Sequence, residues 1–329
     1  MAAINRVLRP PAVRGRIIFH ADDLGMSTAV NEGILGAFER GILTSTSVLA
    51  NGPAASQGLM AMKEWMPCAA GGELANASRR RALGEPSAAF DLGVHLNLTQ
   101  GRPLTAHRYP SELLDAQGCF LAPGRLLAAL VYHGDRFTAD IYAELAEQIR
   151  FVRDHGVTPT HANGHQYVEM FPHVGRAVID ALTDVHIPVM RLALENRLAA
   201  TTLYRGRFSA WALAHIKRRF AARLLPLVEA SDLQHSDEFF GTAHAGHITL
   251  DVLRRRFQYF ADGRLLEVGI HPGSDERADA PTSPWHDPLS ALRPRERDLL
   301  CCDELVELML ERRLGLGRLS ALAAERAAA

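Results

Sequence analysis

Four short segments of this 329-residue chain carry carboxylates or imidazoles at the end of, or inside, an apolar strand-like run. His20-Ala21-Asp22-Asp23 follows Ile17-Ile18-Phe19, and Gly93-Val94-His95-Leu96-Asn97 lies in a second run. Thr160-His161-Ala162-Asn163-Gly164-His165-Gln166 makes a third, and Gly269-Ile270-His271-Pro272-Gly273 a fourth. In parallel α/β architectures the loops leaving the C-terminal ends of strands build the site, so these segments are expected to converge. One carboxylate and two neutral imidazoles make three ligands with an open position, the arrangement of a catalytic divalent metal. Such a metal lowers the pKa of water towards about 7 and polarises a carbonyl oxygen. A second carboxylate as general base and a histidine as general acid complete a hydrolase for amides or esters.

Taken singly, each residue also has a plain structural reading. Asp22 and Asp23 can serve the N-terminus of a following helix. Strand alternation instead sends the two side chains in different directions, one to a metal and one to a proton. His95 sits between Val94 and Leu96 and can be a hydrogen-bonded core residue as readily as a ligand. His161 and His165 have the spacing of one helix face, but Pro159 and Asn163-Gly164 are turn signals. They are therefore expected to leave a strand end through a tight turn. His271 precedes a Pro-Gly turn, and His244-x-x-His247 reads as a loop around Gly246.

The elements that must position these residues alternate strand and helix. Strands are expected at 17–19, 44–49, 92–98, around Thr160, at 187–192 and at 265–270. Val30, Ile34, Ala37 and Phe38 recur at helical spacing and stop at Gly41. Further helices are expected at 54–65, 139–155, 173–183, 207–225, 249–261 and 294–311. Residues 66–89 break the rhythm with Gly71-Gly72, Pro86 and Arg79-Arg80-Arg81, and read as an excursion loop. Alternation on this scale predicts an α/β fold: one domain over residues 1–329, a distorted (β/α) barrel of parallel strands with outer helices.

Composition narrows the partners. Thirty-six basic and 37 acidic residues leave a net charge of −1, which gives no reason to expect nucleic acid or an anionic membrane as the main partner. No run approaches the ~20 apolar residues of a membrane span. Residues 1–16 hold four arginines and no apolar core of a secretory signal. The four cysteines form no CxxC pair. A cytoplasmic enzyme or binding protein is the expectation, and no serine elbow, Walker loop or dinucleotide fingerprint competes with the metal reading.

The chain resembles the YdjC-like carbohydrate deacetylases, which include chitooligosaccharide deacetylases and hopanoid-associated HpnK-like proteins. The resemblance rests on HADDLGMSTAVNEGI (20–34), GILTSTSVLANGPAA (41–55), DLGVHLNLTQGRPL (91–104), THANGHQYVEMFP (160–172) and EVGIHPGSDE (267–276), within a core of residues 16–311. It implies a distorted β/α barrel, one bound divalent metal and removal of acetyl groups from N-acetylated amino sugars such as N-acetylglucosamine units. It implies Asp23, His95 and His165 as metal ligands, Asp22 as the base and His271 as the acid. Arg191 is then an orienting residue for substrate or catalytic carboxylate, and His161, Asn163 and Tyr167 line the substrate region. The metal is Zn²⁺ or Mg²⁺ in the first instance, with Mn²⁺, Co²⁺ and Ni²⁺ compatible with the same donors. A homodimer is also implied.

The chain departs from the family pattern in four places. Asn163 replaces a frequent Asp, Tyr167 and Glu169 replace histidines, and Glu238 replaces the histidine of an Asp-His-Phe loop. Two other readings stay open on the sequence: another barrel-type metallohydrolase, for which Arg191 is the one evident phosphate clamp, and a sugar-binding protein without turnover.

Overall fold

The computed structural model describes residues 13–71, 75–85, 90–203, 208–275 and 285–328. Its strands are β1 (Gly15–Leu24), β2 (Ser45–Val48), β3 (Asp91–Leu96), β4 (Ala162–Gly164), β5 (Glu238–Phe240), β6 (Leu265–Ile270) and β7 (Leu314–Leu316). The helices are α1 (Thr28–Arg40), α2 (Ala55–Gly71), α3 (Ala77–Ala82), α4 (Pro123–His133), α5 (Thr138–Asp154) and α6 (Val174–Asp184). They continue as α7 (Arg197–Leu203), α8 (Phe208–Glu229), α9 (Leu250–Arg256), α10 (Arg293–Cys301), α11 (Asp303–Glu311) and α12 (Leu319–Ala328).

The strands form one parallel sheet in the order β4-β3-β2-β1-β6-β5, with β7 also on β1. β6 pairs Arg16 to Ala21 along one edge of β1, so β7 and β2 must share the other. The sheet curls, and single bridges take over where the ladder ends. Ala162 pairs Met190, Val189 pairs Gln234, and Glu195 pairs Phe239 of β5. This is a distorted, partly open barrel with outer helices. Burial explains the parallel arrangement: β2, β3 and β4 are wholly buried, and β1 is buried except at Arg16.

Three expectations change. Residues 187–192 are not a strand; they close the barrel through isolated bridges, because Pro188 has no N–H to give a ladder. The 66–89 stretch contains the end of α2 and all of α3, where Asn76 Nδ2 donates to Phe38 O at 2.7 Å and Arg80 Nη1 to Leu43 O at 2.6 Å. Residues 72–74 and 86–89 of that stretch lie outside the described ones. The 294–311 helix breaks at Cys302, whose extended backbone separates α10 from α11.

α1 starts where Ser27 accepts from the Val30 N–H at 3.2 Å and ends where the Gly41 N–H bonds Ala37 O. Its Gly33 lies directly on Gly273, so that a Cβ at Gly33 would fall inside that backbone. Helix α1 thereby holds the turn that follows His271. Gly33→Ala should therefore lower the urea midpoint, although alanine gains about 1 kcal/mol of helix propensity. A raised midpoint would show that the two backbones are not in this contact.

Candidate active site

The C-terminal end of β1 does not continue as a regular strand. Its register against β2 shifts between Ala21 and Leu24, and Asp23 adopts φ +72°. A left-handed non-glycine residue costs about 1–2 kcal/mol and persists only where the surroundings enforce it. Its effect is to defeat strand alternation. Asp22 and Asp23 both border one cavity of about 400 Å³, within the range of small-molecule sites.

Asp23 faces two imidazoles. Its Oδ1 lies 3.1 Å from His165 Nδ1 and 3.4 Å from His95 Nε2, and those two nitrogens are 3.2 Å apart. Three donors at about 2.1 Å from a tetrahedral centre would be about 3.4 Å from one another, so the set fits a divalent cation without rearrangement. His165 Nε2 is 3.2 Å from Gln100 Oε1, which places the ring proton there and leaves the Nδ1 lone pair facing Asp23. Asn97 shapes this turn, since its Oδ1 accepts from the Thr99 and Gln100 N–H groups at 2.9 and 3.2 Å. Burial lowers the His165 pKa despite Asp23, so the ring is neutral and able to ligate. The other Asp23 oxygen accepts from Arg293 Nη2 at 2.7 Å, and Arg293 Nε is 2.7 Å from Asp287. Arg293 gave no sequence signal, because Arg293-Pro294-Arg295-Glu296 reads as an ordinary charged helix start.

Asp22 is held differently. Arg191 Nη1 donates to its Oδ2 at 2.8 Å and Nη2 to its Oδ1 at 2.9 Å, while Asn163 Nδ2 donates to Oδ1 at 3.0 Å. Burial pushes the carboxyl pKa up, but Arg191 and the neighbouring histidines outweigh it and hold Asp22 well below the usual range. Arg191 Nε bonds Glu267 at 2.6 Å, and its guanidinium stacks 4.9 Å above the Phe239 ring. Among the described residues that line the cavity, neither Arg191 nor Asn163 is found; the side chains of both donate to Asp22 instead. His161, just before β4, is wholly buried with its Nε2 2.7 Å from His20 Nε2, and it is not among the residues that line the cavity.

His271 lies across from these groups. Its Nε2 is 3.8 Å from Asp22 Oδ2, and its backbone N–H bonds Glu296 Oε2 at 2.7 Å. Burial lowers the imidazole pKa, but Glu296, Asp22 and Asp23 reverse that and leave it raised. Glu296, on α10, is a second residue that the sequence did not single out.

Tyr167 borders the cavity, at the second of two consecutive left-handed residues, with Gln166 at φ +54° and Tyr167 at φ +62°. Lys217 Nζ sits 4.2 Å above its ring and donates to Thr242 O at 2.7 Å. Burial lowers the Lys217 pKa to about 8. Glu238 instead pairs with Arg256 and does not border the cavity.

Glu169 is buried, and among the described residues no other residue hydrogen-bonds either carboxylate oxygen; burial pushes its carboxyl up to about 8. The folded chain thus keeps a proton that the unfolded chain releases near 4.5, so stability falls as pH rises through that interval. Glu169→Gln should remove this loss: its urea midpoint should gain on wild type between about pH 5 and 8. Parallel profiles would show Glu169 to be ionised in the folded state.

The YdjC-like protein family model matches residues 16–311. A human carbohydrate deacetylase is 31% identical over 269 residues, covering 79% of this chain and 75% of the human protein. A chitooligosaccharide deacetylase of Yersinia enterocolitica is 33% identical over 159 residues, 48% of this chain and 52% of its own. Among solved structures, an Enterococcus faecalis protein proposed to cleave cellobiose phosphate superposes with a TM-score of 0.69 at 19% identity, covering 94% of this chain and 99% of that one. Among the described residues no helix is long and apolar enough to cross a membrane. With the matched region spanning every strand from β1 to β6 and all the residues around the cavity, this chain belongs to the YdjC-like family.

Proposed function

We propose that this chain is a metal-dependent hydrolase that removes the acetyl group from an N-acetylated amino sugar, an N-acetylglucosamine-type unit of an oligosaccharide, glycolipid or glycosylated metabolite. The observation that carries this reading is one cavity bordered by an ionised Asp22, a raised-pKa His271 and the converging donors of Asp23, His95 and His165. The names of the human and Yersinia relatives support the same chemistry.

When held by Asp23, His95 and His165, a divalent cation would polarise the acetamide carbonyl and lower the pKa of a water molecule towards about 7, within reach of a weakly basic carboxylate. Asp22 takes the water proton at Oδ2, since Oδ1 already accepts from Arg191 and Asn163 while Oδ2 accepts from Arg191 alone. The water oxygen bonds the acetyl carbon, the C–N bond breaks, and His271 gives its proton to the departing amine. Acetate and the free amino sugar leave.

Acetate release from N-acetylglucosamine, its oligomers and nucleotide- or lipid-linked forms tests the reading. Release should stop with chelator and return with one or more of Zn²⁺, Mg²⁺, Mn²⁺, Co²⁺ and Ni²⁺. Asp22→Asn should lower kcat by about 10²–10⁴-fold while metal content is kept. Bound metal with no release from any N-acetyl sugar would overturn the proposal.

The acid role adds a pH dependence. Activity that needs protonated His271 is present below its raised pKa and is lost as pH rises through it. Glu296→Gln removes one of the charges that raise it, so the alkaline limb of kcat/KM should move to lower pH. An unmoved limb would assign it to another group.

A further inference from the structure

Behind Asp22 runs a buried chain of hydrogen bonds that the reaction above does not use. Arg191 Nη2 lies 2.7 Å from His20 Nδ1, His20 Nε2 lies 2.7 Å from His161 Nε2, and His161 Nδ1 lies 2.9 Å from Thr160 Oγ1. Thr160 Oγ1 in turn donates to Leu92 O at 3.3 Å. Both imidazoles are fully buried, and their rings meet edge to face with centroids 4.8 Å apart. The space is built for them: a Cβ at Gly93 would fall on the His161 ring.

One end of this chain fixes the direction of every bond in it. A guanidinium nitrogen only donates, so His20 Nδ1 must accept from Arg191. A neutral imidazole then carries its proton on Nε2, which requires His161 Nε2 to accept and His161 Nδ1 to donate to Thr160. Burial and the charge of Arg191 keep both rings neutral. The opposite tautomer of His20 has a ready partner, because Asp22 Oδ1 lies 3.0 Å from Nδ1. In that state a protonated Nδ1 would face Arg191 Nη2 at 2.7 Å, donor against donor, and the guanidinium would have to swing away from Asp22 Oδ1.

We propose that His161, by accepting the Nε2 proton of His20, keeps Arg191 seated on Asp22, so that His20 and His161 are positioning residues for the base. The kinetic part rests on the deacetylase reading; the tautomer part does not. In the metal-loaded protein, ¹⁵N chemical shifts of the imidazoles should show His20 protonated at Nε2 and unprotonated at Nδ1. His161→Leu removes the acceptor: His20 should shift towards the Nδ1–H form, and kcat should fall about 10–100-fold with KM little changed. His161→Gln keeps an acceptor oxygen and should restore both the tautomer and kcat to within a few-fold of wild type. A wild-type His20 protonated at Nδ1, or a His161→Leu protein with wild-type tautomer and kcat, would overturn the assignment. Absence of turnover in wild type with the expected His20 shifts would sink the deacetylase reading and leave the relay standing.

Discussion

Two adjacent carboxylates, Asp22 and Asp23, are buried at 6% and 3% exposure at the end of one strand, and much of the site's architecture follows from keeping both charged there. An isolated buried carboxylate would take up a proton rather than stay ionised, so each must bring its own cation. Arg191 from the barrel-closing segment serves Asp22, and Arg293 from the first turn of α10 serves Asp23. Each arginine is itself balanced, by Glu267 on β6 and by Asp287. The two aspartate–arginine pairs therefore bring together residues more than a hundred positions apart, and the left-handed turn at Asp23 is tolerated because its partners hold it.

The two pairs also set different chemical characters. Asp22 is surrounded by donors on Oδ1 and has one oxygen turned towards His271, which suits a proton acceptor of fixed direction. Asp23 shares its Oδ1 with two imidazole nitrogens, which suits a ligand. Equal side chains at neighbouring positions differ because the strand bulge delivers them to different neighbours, and burial makes those neighbours count.

The barrel is irregular where the site is most crowded. Pro188 cannot join a ladder, so the segment that carries Arg191 is pinned by isolated bridges and by the arginine's own ion pairs. Tyr167 and Lys217 border the same cavity from the loop after β4 and from α8. Glu238, by contrast, pairs with Arg256 away from the cavity.

Short-range signals were readable from the amino-acid order alone: apolar runs for β1, β3 and β6, the Gly41 end of α1, and the convergence of Asp22, Asp23, His95, His165 and His271 at strand ends. These follow from local backbone preference and from the rule that parallel strands open one face to chemistry. The resemblance added the division of roles. Tertiary structure decided what depends on distant partners: the bulge that turns both aspartates inward, the places of Arg293 and Glu296 in what reads as a plain charged helix, and the withdrawal of His161 and Asn163 to positions behind Asp22. No local pattern encodes these, because a charge in a sequence carries no mark of the opposite charge it will meet, and burial, which fixes that pairing, exists only once the barrel has closed.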